Sequence, residues 1–166
     1  MLIYHPAYDA YHCVFRALLI TSTVKIVEVA KLRILDFFLC FPAELRRVRL
    51  PREHSEARKI ANSLKNDYHG PMSMSQAFRD MEHIQISAMR TLAASRVFDA
   101  AEFSSGLIRR AEADLPDELS ARLKKAGHAN EDVITYITHK FAELPLQGVD
   151  GLKHRTGLME HRYDIT

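Results

Sequence analysis

Apolar residues recur along this chain at three- and four-residue steps, a period that predicts a mainly helical protein. Between Ala7 and Ile20 the stripe Tyr8, Tyr11, Phe15, Leu18 and Leu19 marks a first helix, and Leu2–Tyr4 reads as a short strand before Pro6. Val29 to Phe41 is apolar almost all round, interrupted by Lys31, Arg33 and Asp36. Such a helix is expected to be buried on most faces and to be the hub of the fold. Arg33 and Asp36 lie one turn apart on it and are expected to satisfy each other. Pro51 opens a polar helix to about Leu64 that turns Ala57, Ile60, Ala61 and Leu64 inward.

After the break at Gly70-Pro71, a helix beginning near Ser75 or Asp80 carries Met81, Ile84, Ala88, Met89 and Leu92. It runs through Arg96–Asp99 into Phe103–Ile108, a hairpin-like stretch with Gly106 available for a tight turn. Pro116 starts a further helix with acids in its first turn and Lys124-Lys125 in its last, ended by Gly127. Asn130 caps the next, whose apolar side is Val133, Ile134, Ile137, Phe141 and Leu144, and Pro145 stops it. Gly148 to Thr166 has three glycines and no sustained stripe, so it reads as an arm.

The expected fold is therefore mainly α with a small β-hairpin. It has a winged-helix-like core over 25–115, preceded by an N-terminal strand and helix over 1–24. A C-terminal helical pair plus arm follows over 116–166, all within a single domain, 1–166. The helix in the recognition position carries Glu82 and Arg90 and no net charge. A helix that reads base edges offers several Arg, Lys, Asn or Gln side chains, so this frame is expected to grip another protein.

The 166 residues suffice for a real core, and a net charge of +2 does not by itself demand nucleic acid. Distribution says more. Lys25 to Lys65 holds ten Lys/Arg against five acids, whereas Asp99 to Glu118 holds two against six. Arg46, Arg47, Arg49 and Arg52 fall within seven residues in a Pro-bounded connection. They can clamp DNA phosphates with bidentate forks, form a solvated loop, or pair with the acidic region. Cys13 and Cys40 sit in apolar stretches outside any CxxC pair, as expected of reduced thiols in a cytoplasmic protein. The run Ile34–Ala43 is too short to span a bilayer, so no membrane association is expected.

Catalytic patterns are missing from the sequence. No glycine precedes a Lys-Ser or Lys-Thr pair as a phosphate cradle requires, and no acid-x-Lys pattern supports a metal-dependent nuclease. His5, Asp9 and His12 share one edge of the first helix and form a metal candidate without a further strong ligand nearby. The arm ends with Tyr163 and Ile165 alternating as in a strand. This end can pair with the strand Leu2–Tyr4 or add a strand to an edge on a partner. In the second case Tyr163 and Ile165, with charge-assisted contacts from Arg155 and Arg162, form a candidate partner interface.

The stretches Tyr4–Arg16, Lys31–Pro42, Met81–Ser95 and Gly151–Gly157 resemble the middle components of bacterial ABC-three-component systems. Lamassu-type SMC anti-phage defence uses a small accessory subunit of this kind. The resemblance implies an adaptor that is not an enzyme and holds no cofactor. It would join an SMC-like ABC ATPase, itself a dimer that senses DNA, to an effector that is often a nuclease. The alternative from the residues is a winged-helix transcription regulator that binds a particular duplex as a dimer. One departure stands out: a helix-ending Gly is expected after Ala94, and the chain has Ser95-Arg96.

Overall fold

The computed structural model describes residues 5–64, 70–71 and 73–159. The strand expected at Leu2–Tyr4 and the interface residues Arg162, Tyr163 and Ile165 lie outside the described residues.

Asp9 caps the first long helix, α1 (Ala10–Thr23), by accepting a 2.9 Å hydrogen bond from the His12 N–H. A short strand, β1 (Ile26–Glu28), leads into α2 (Val29–Cys40). Leu32 through Phe38 are all buried on α2, as its all-round apolar pattern predicts. Pro42 ends α2 and opens a 3₁₀ segment, Pro42–Arg47. A 3₁₀ turn (Arg52–His54) then precedes α3 (Ser55–Ser63), which buries Ala57, Ile60 and Ala61 and leaves Leu64 exposed beyond its end. Ser73 caps α4 (Met74–Ala94), whose buried positions Met81, Gln85, Ala88, Met89 and Leu92 form one stripe.

The β structure is small and antiparallel, as expected, but its strands pair differently. Asp99 caps a one-turn helix, α5 (Ala100–Ser104), so Phe103 and Ser104 are helical instead of extended. Gly106, at φ +87°, then reverses the chain into β2 (Leu107–Arg109). That strand pairs with β1 in the register Ile26 to Arg109, Val27 to Ile108 and Glu28 to Leu107. On its far side Asp99 N–H donates to the Arg109 carbonyl and Ala111 N–H to that of Val97, both at 2.9 Å. The order across the sheet is thus 26–28, 107–111, 97–99.

The remaining helices are α6 (Asp117–Ala129) and α7 (Glu131–Thr135), a π turn (Tyr136–Lys140), a 3₁₀ turn (Phe141–Glu143) and α8 (Leu152–Thr156). Gly127 does not end α6. The next helix starts after one residue, so no left-handed reversal is needed there. Within the described part of the expected arm, residues 148–159 are built into the domain. Leu152 and Leu158 are buried in the same apolar cluster as α2, and a Cβ on Gly151 would collide with the Gln147 carbonyl. The glycines here make a tight turn, not a loose tail.

The inward face of α1 also departs from expectation. Tyr8 and Tyr11 are 42% and 55% exposed, while Cys13, Arg16, Ala17, Leu18 and Ile20 are buried. Tyr11 lies toward α6, where its hydroxyl accepts a 3.0 Å hydrogen bond from Arg122. Its ring can line a rim because its polar tip stays wet.

The end of α4 answers the missing glycine. Val97 N–H donates to Leu92 and Arg96 N–H to Ala93, the paired bonds of a Schellman ending, and Arg96 takes the left-handed position at φ +60°. A non-glycine residue there carries a backbone cost of about 1–2 kcal/mol. Arg96→Gly is therefore expected to raise unfolding stability by about 0.5–1 kcal/mol once the extra freedom of unfolded glycine is counted. Urea titration of the two proteins checks this, and a lower midpoint in the variant would refute it.

Candidate functional site

The exposed arginines stand on a rigid base. Leu45 and Val48 anchor the 3₁₀ segment in the core, and Glu44 beside them is buried. Its carboxylate lies 3.1 Å from Arg47 Nε and 3.8 Å from Arg46 Nη2. Glu44 Oε2 accepts no hydrogen bond despite the nearby Arg47, so the contact is an ion pair of poor directionality. The four arginines Arg46, Arg47, Arg49 and Arg52 are all exposed.

Arg155 locks the next part of the segment in place. Its Nη1 donates to the Arg49 carbonyl at 2.6 Å, and its own carbonyl accepts from the Arg49 N–H at 3.3 Å. Nε and Nη2 reach the Asp150 carbonyl and carboxylate at 2.7 and 2.9 Å. Arg155, expected at a partner interface, is thus a clamp within the chain. The acidic stretch is not the counterpart of the arginines. Glu102 pairs with Arg109 at 3.1 Å and Glu118 with Arg122 at 2.8 Å, and no described ion pair joins 46–52 to 99–118.

A second polar group, with Arg16, Arg33, Asp36 and Gln85 buried, ties α1, α2 and α4 together. Asp36 receives Arg16 Nε at 2.6 Å, Arg16 Nη2 at 3.3 Å and Gln85 Nε2 at 2.8 Å. Gln85 Oε1 accepts from Arg33 Nε at 2.9 Å. Arg33 also lies over the Phe78 ring at 4.4 Å and 3.1 Å from Glu82. Arg33 and Asp36 are therefore buried as separate members of one network and not each other's direct partners. Successive turns of α2 send them toward α4 and α1 respectively. Burial pulls the Arg33 guanidinium below its ordinary value, with Glu82 opposing. Burial also works against the Arg16 charge, but the Asp36 carboxylate outweighs it and holds that guanidinium above its ordinary value. Burial and then Asp36 push the Cys13 thiol up to about 12, and the same causes raise Cys40, so both remain protonated at neutral pH.

The candidate metal trio has other structural duties. His5 Nδ1 accepts from the Ala7 N–H at 3.1 Å, its ring stacks on Phe41, and Asp9 both caps α1 and meets His12 Nδ1 at 2.8 Å. Among the described residues no group of three His, Cys, Asp or Glu is placed to hold a metal ion. No described helix is long and apolar enough to cross a membrane.

Sequence reasoning missed the pair His54 and Tyr136, both buried, where the turn before α3 meets the π turn. Burial raises the Tyr136 hydroxyl well above its ordinary value, so it stays protonated, and it shares a 2.9 Å hydrogen bond with His54 Nδ1. Beside them a cleft of about 920 Å³ lies between α3 and the α6–α7 region, with Ile60, Leu64, Val133, Tyr136, Lys59 and Lys140 on its walls. Burial first, then the Lys140 charge, pulls the His54 imidazole below its usual 6.5. The unfolded chain accordingly binds that proton more readily than the folded one. Stability contributed by neutral His54 is complete above about pH 6.5 and falls as the pH drops through the folded value. Denaturant midpoints measured from about pH 8 to 5 should decline more steeply for the native protein than for His54→Gln. Parallel curves would overturn this assignment.

A mainly α-helical domain with a small antiparallel pair, an internal charge network and an exposed arginine segment is the class that fold and site define. The chain belongs to the ABC-three component (ABC-3C) system Middle Component 5 family, whose model matches residues 2–164. A middle component is an accessory part that works with the other members of such a system, an ABC ATPase and an effector. No curated protein and no solved structure matches the chain.

Proposed function

We propose that this chain is a non-catalytic adaptor in a cytoplasmic anti-phage defence complex of the Lamassu type. It couples an SMC-like ABC ATPase dimer that senses DNA to a nuclease effector. The observation that carries the reading is the family match over residues 2–164, which makes the chain a component of an ATPase system. The fold supports it. Helix α1, strand β1, helices α2 and α4, and then segments 97–99 and 107–111 follow the winged-helix order, with α3 inserted and α5 at the wing's tip. In this frame α4 takes the recognition position, yet its exposed Arg79, Asp80, Glu82 and Arg90 balance to zero. A neutral face of this kind favours a protein partner over base readout.

Residues 1–166 act in this reading as one domain, and Arg162, Tyr163 and Ile165 add a contact to the ATPase beyond the described residues. Arg155 serves that contact indirectly, by fixing the segment from which it departs. Co-expression with an SMC-like ABC ATPase of the same system tests the reading: both should co-elute at fixed stoichiometry through high salt. A chain that elutes as a lone dimer and selects one duplex sequence would make it a winged-helix transcription regulator instead.

A further inference from the structure

We propose that the exposed face formed by residues 46–59 is a docking surface for duplex DNA that holds phosphates and reads no bases. It is a second surface, distinct from α4 and independent of the adaptor reading. Six cations are exposed in this stretch: Arg46, Arg47, Arg49, Arg52, Arg58 and Lys59. Glu44 neutralises part of the first two from below. The other four have no acid within ion-pair distance among the described residues. The exposed acids here are Glu53 and Glu56, and Glu56 already faces Lys140 at 3.5 Å.

Three observations select the partner. None of the large apolar side chains exposed on the molecule falls between 46 and 59. Interfaces with proteins gather aromatic and apolar anchors at their centre, so a face without them, with six cations against Glu53 and Glu56, fits a polyanion better. The stretch also exposes no aromatic ring on which an unpaired base could stack, since its one such ring, His54, is buried, which disfavours single strands. Finally, five of the six cations are arginines, whose planar forks match phosphate oxygens. The Arg155 clamp and the buried Glu44 hold the backbone beneath them, so little ordering is needed when phosphates arrive.

Fluorescence anisotropy of the full-length chain with two labelled duplexes of unrelated sequence, over a series of KCl concentrations, tests the proposal. Both duplexes should bind with the same affinity, and tightness should fall steeply with salt. Arg49→Ala with Arg52→Ala should weaken both equally and lower the salt slope by about two. Arg49→Lys with Arg52→Lys should keep most of that slope, whereas Lys124→Ala with Lys125→Ala, exposed on α6, should leave DNA affinity and slope unchanged. Thermal melting of each variant separates lost contacts from lost folding. Absence of duplex binding, preference for one sequence, or tighter binding to single strands overturns the proposal. So does a double-alanine variant that keeps the slope but no longer co-elutes with the ATPase, because the face would then meet an acidic protein.

Discussion

Asp36→Ala should lower the stability of the folded chain by about 3–5 kcal/mol, because it leaves the Arg16 guanidinium buried without its carboxylate. The loss reaches beyond one ion pair. Gln85 Nε2 loses an acceptor at the same moment, so the contact of α4 with α2 weakens together with that of α1. Arg16→Met combined with Asp36→Leu removes both charges and should restore most of the stability, since a well-packed apolar pair can match a buried salt bridge. Urea unfolding of the single and double variants checks this. A single variant within 1 kcal/mol of the native protein would mean that water reaches Arg16 and that the network is not closed.

That network also marks where the sequence could and could not be read. The stripe Met81, Ala88, Met89 and Leu92 places Gln85 on the same buried face of α4, a visible sign that a polar side chain enters the core there. Which group receives it depends on helices far apart in sequence, and periodicity within one helix carries no such information. The same limit explains Arg16, since a positive charge on a helix face reads as solvated until Asp36 is known to lie opposite. The span of α2 and its burial were legible because they rest on local pattern alone. The pairing of β2 with β1 was not, since some eighty residues separate them and Gly106 suggested a nearer partner. The arginines were legible as an exposed cluster, whereas the Arg155 clamp beneath them is a tertiary contact across 106 positions.

The C-terminal segment gives the second large effect. A chain ending at Gly148 loses Leu152 and Leu158, both buried, together with the Arg155 clamp on residues 48–50. Burying a leucine contributes about 1.5–3 kcal/mol. The two side chains alone are therefore comparable to much of the 5–15 kcal/mol by which ordinary domains stay folded. Such a chain should be largely unfolded at 37 °C and show no cooperative melt. A chain ending at Met159 keeps both leucines and the clamp and should melt within about 2 °C of full length, a shift of well under 1 kcal/mol. If residues 160–166 contact the ATPase as proposed, this shorter chain should nonetheless fail to co-elute with it at the full-length ratio. Co-elution at an unchanged ratio would remove Arg162, Tyr163 and Ile165 from the interface. A cooperative melt for the chain ending at Gly148 would show that Leu152 and Leu158 contribute far less than their burial implies.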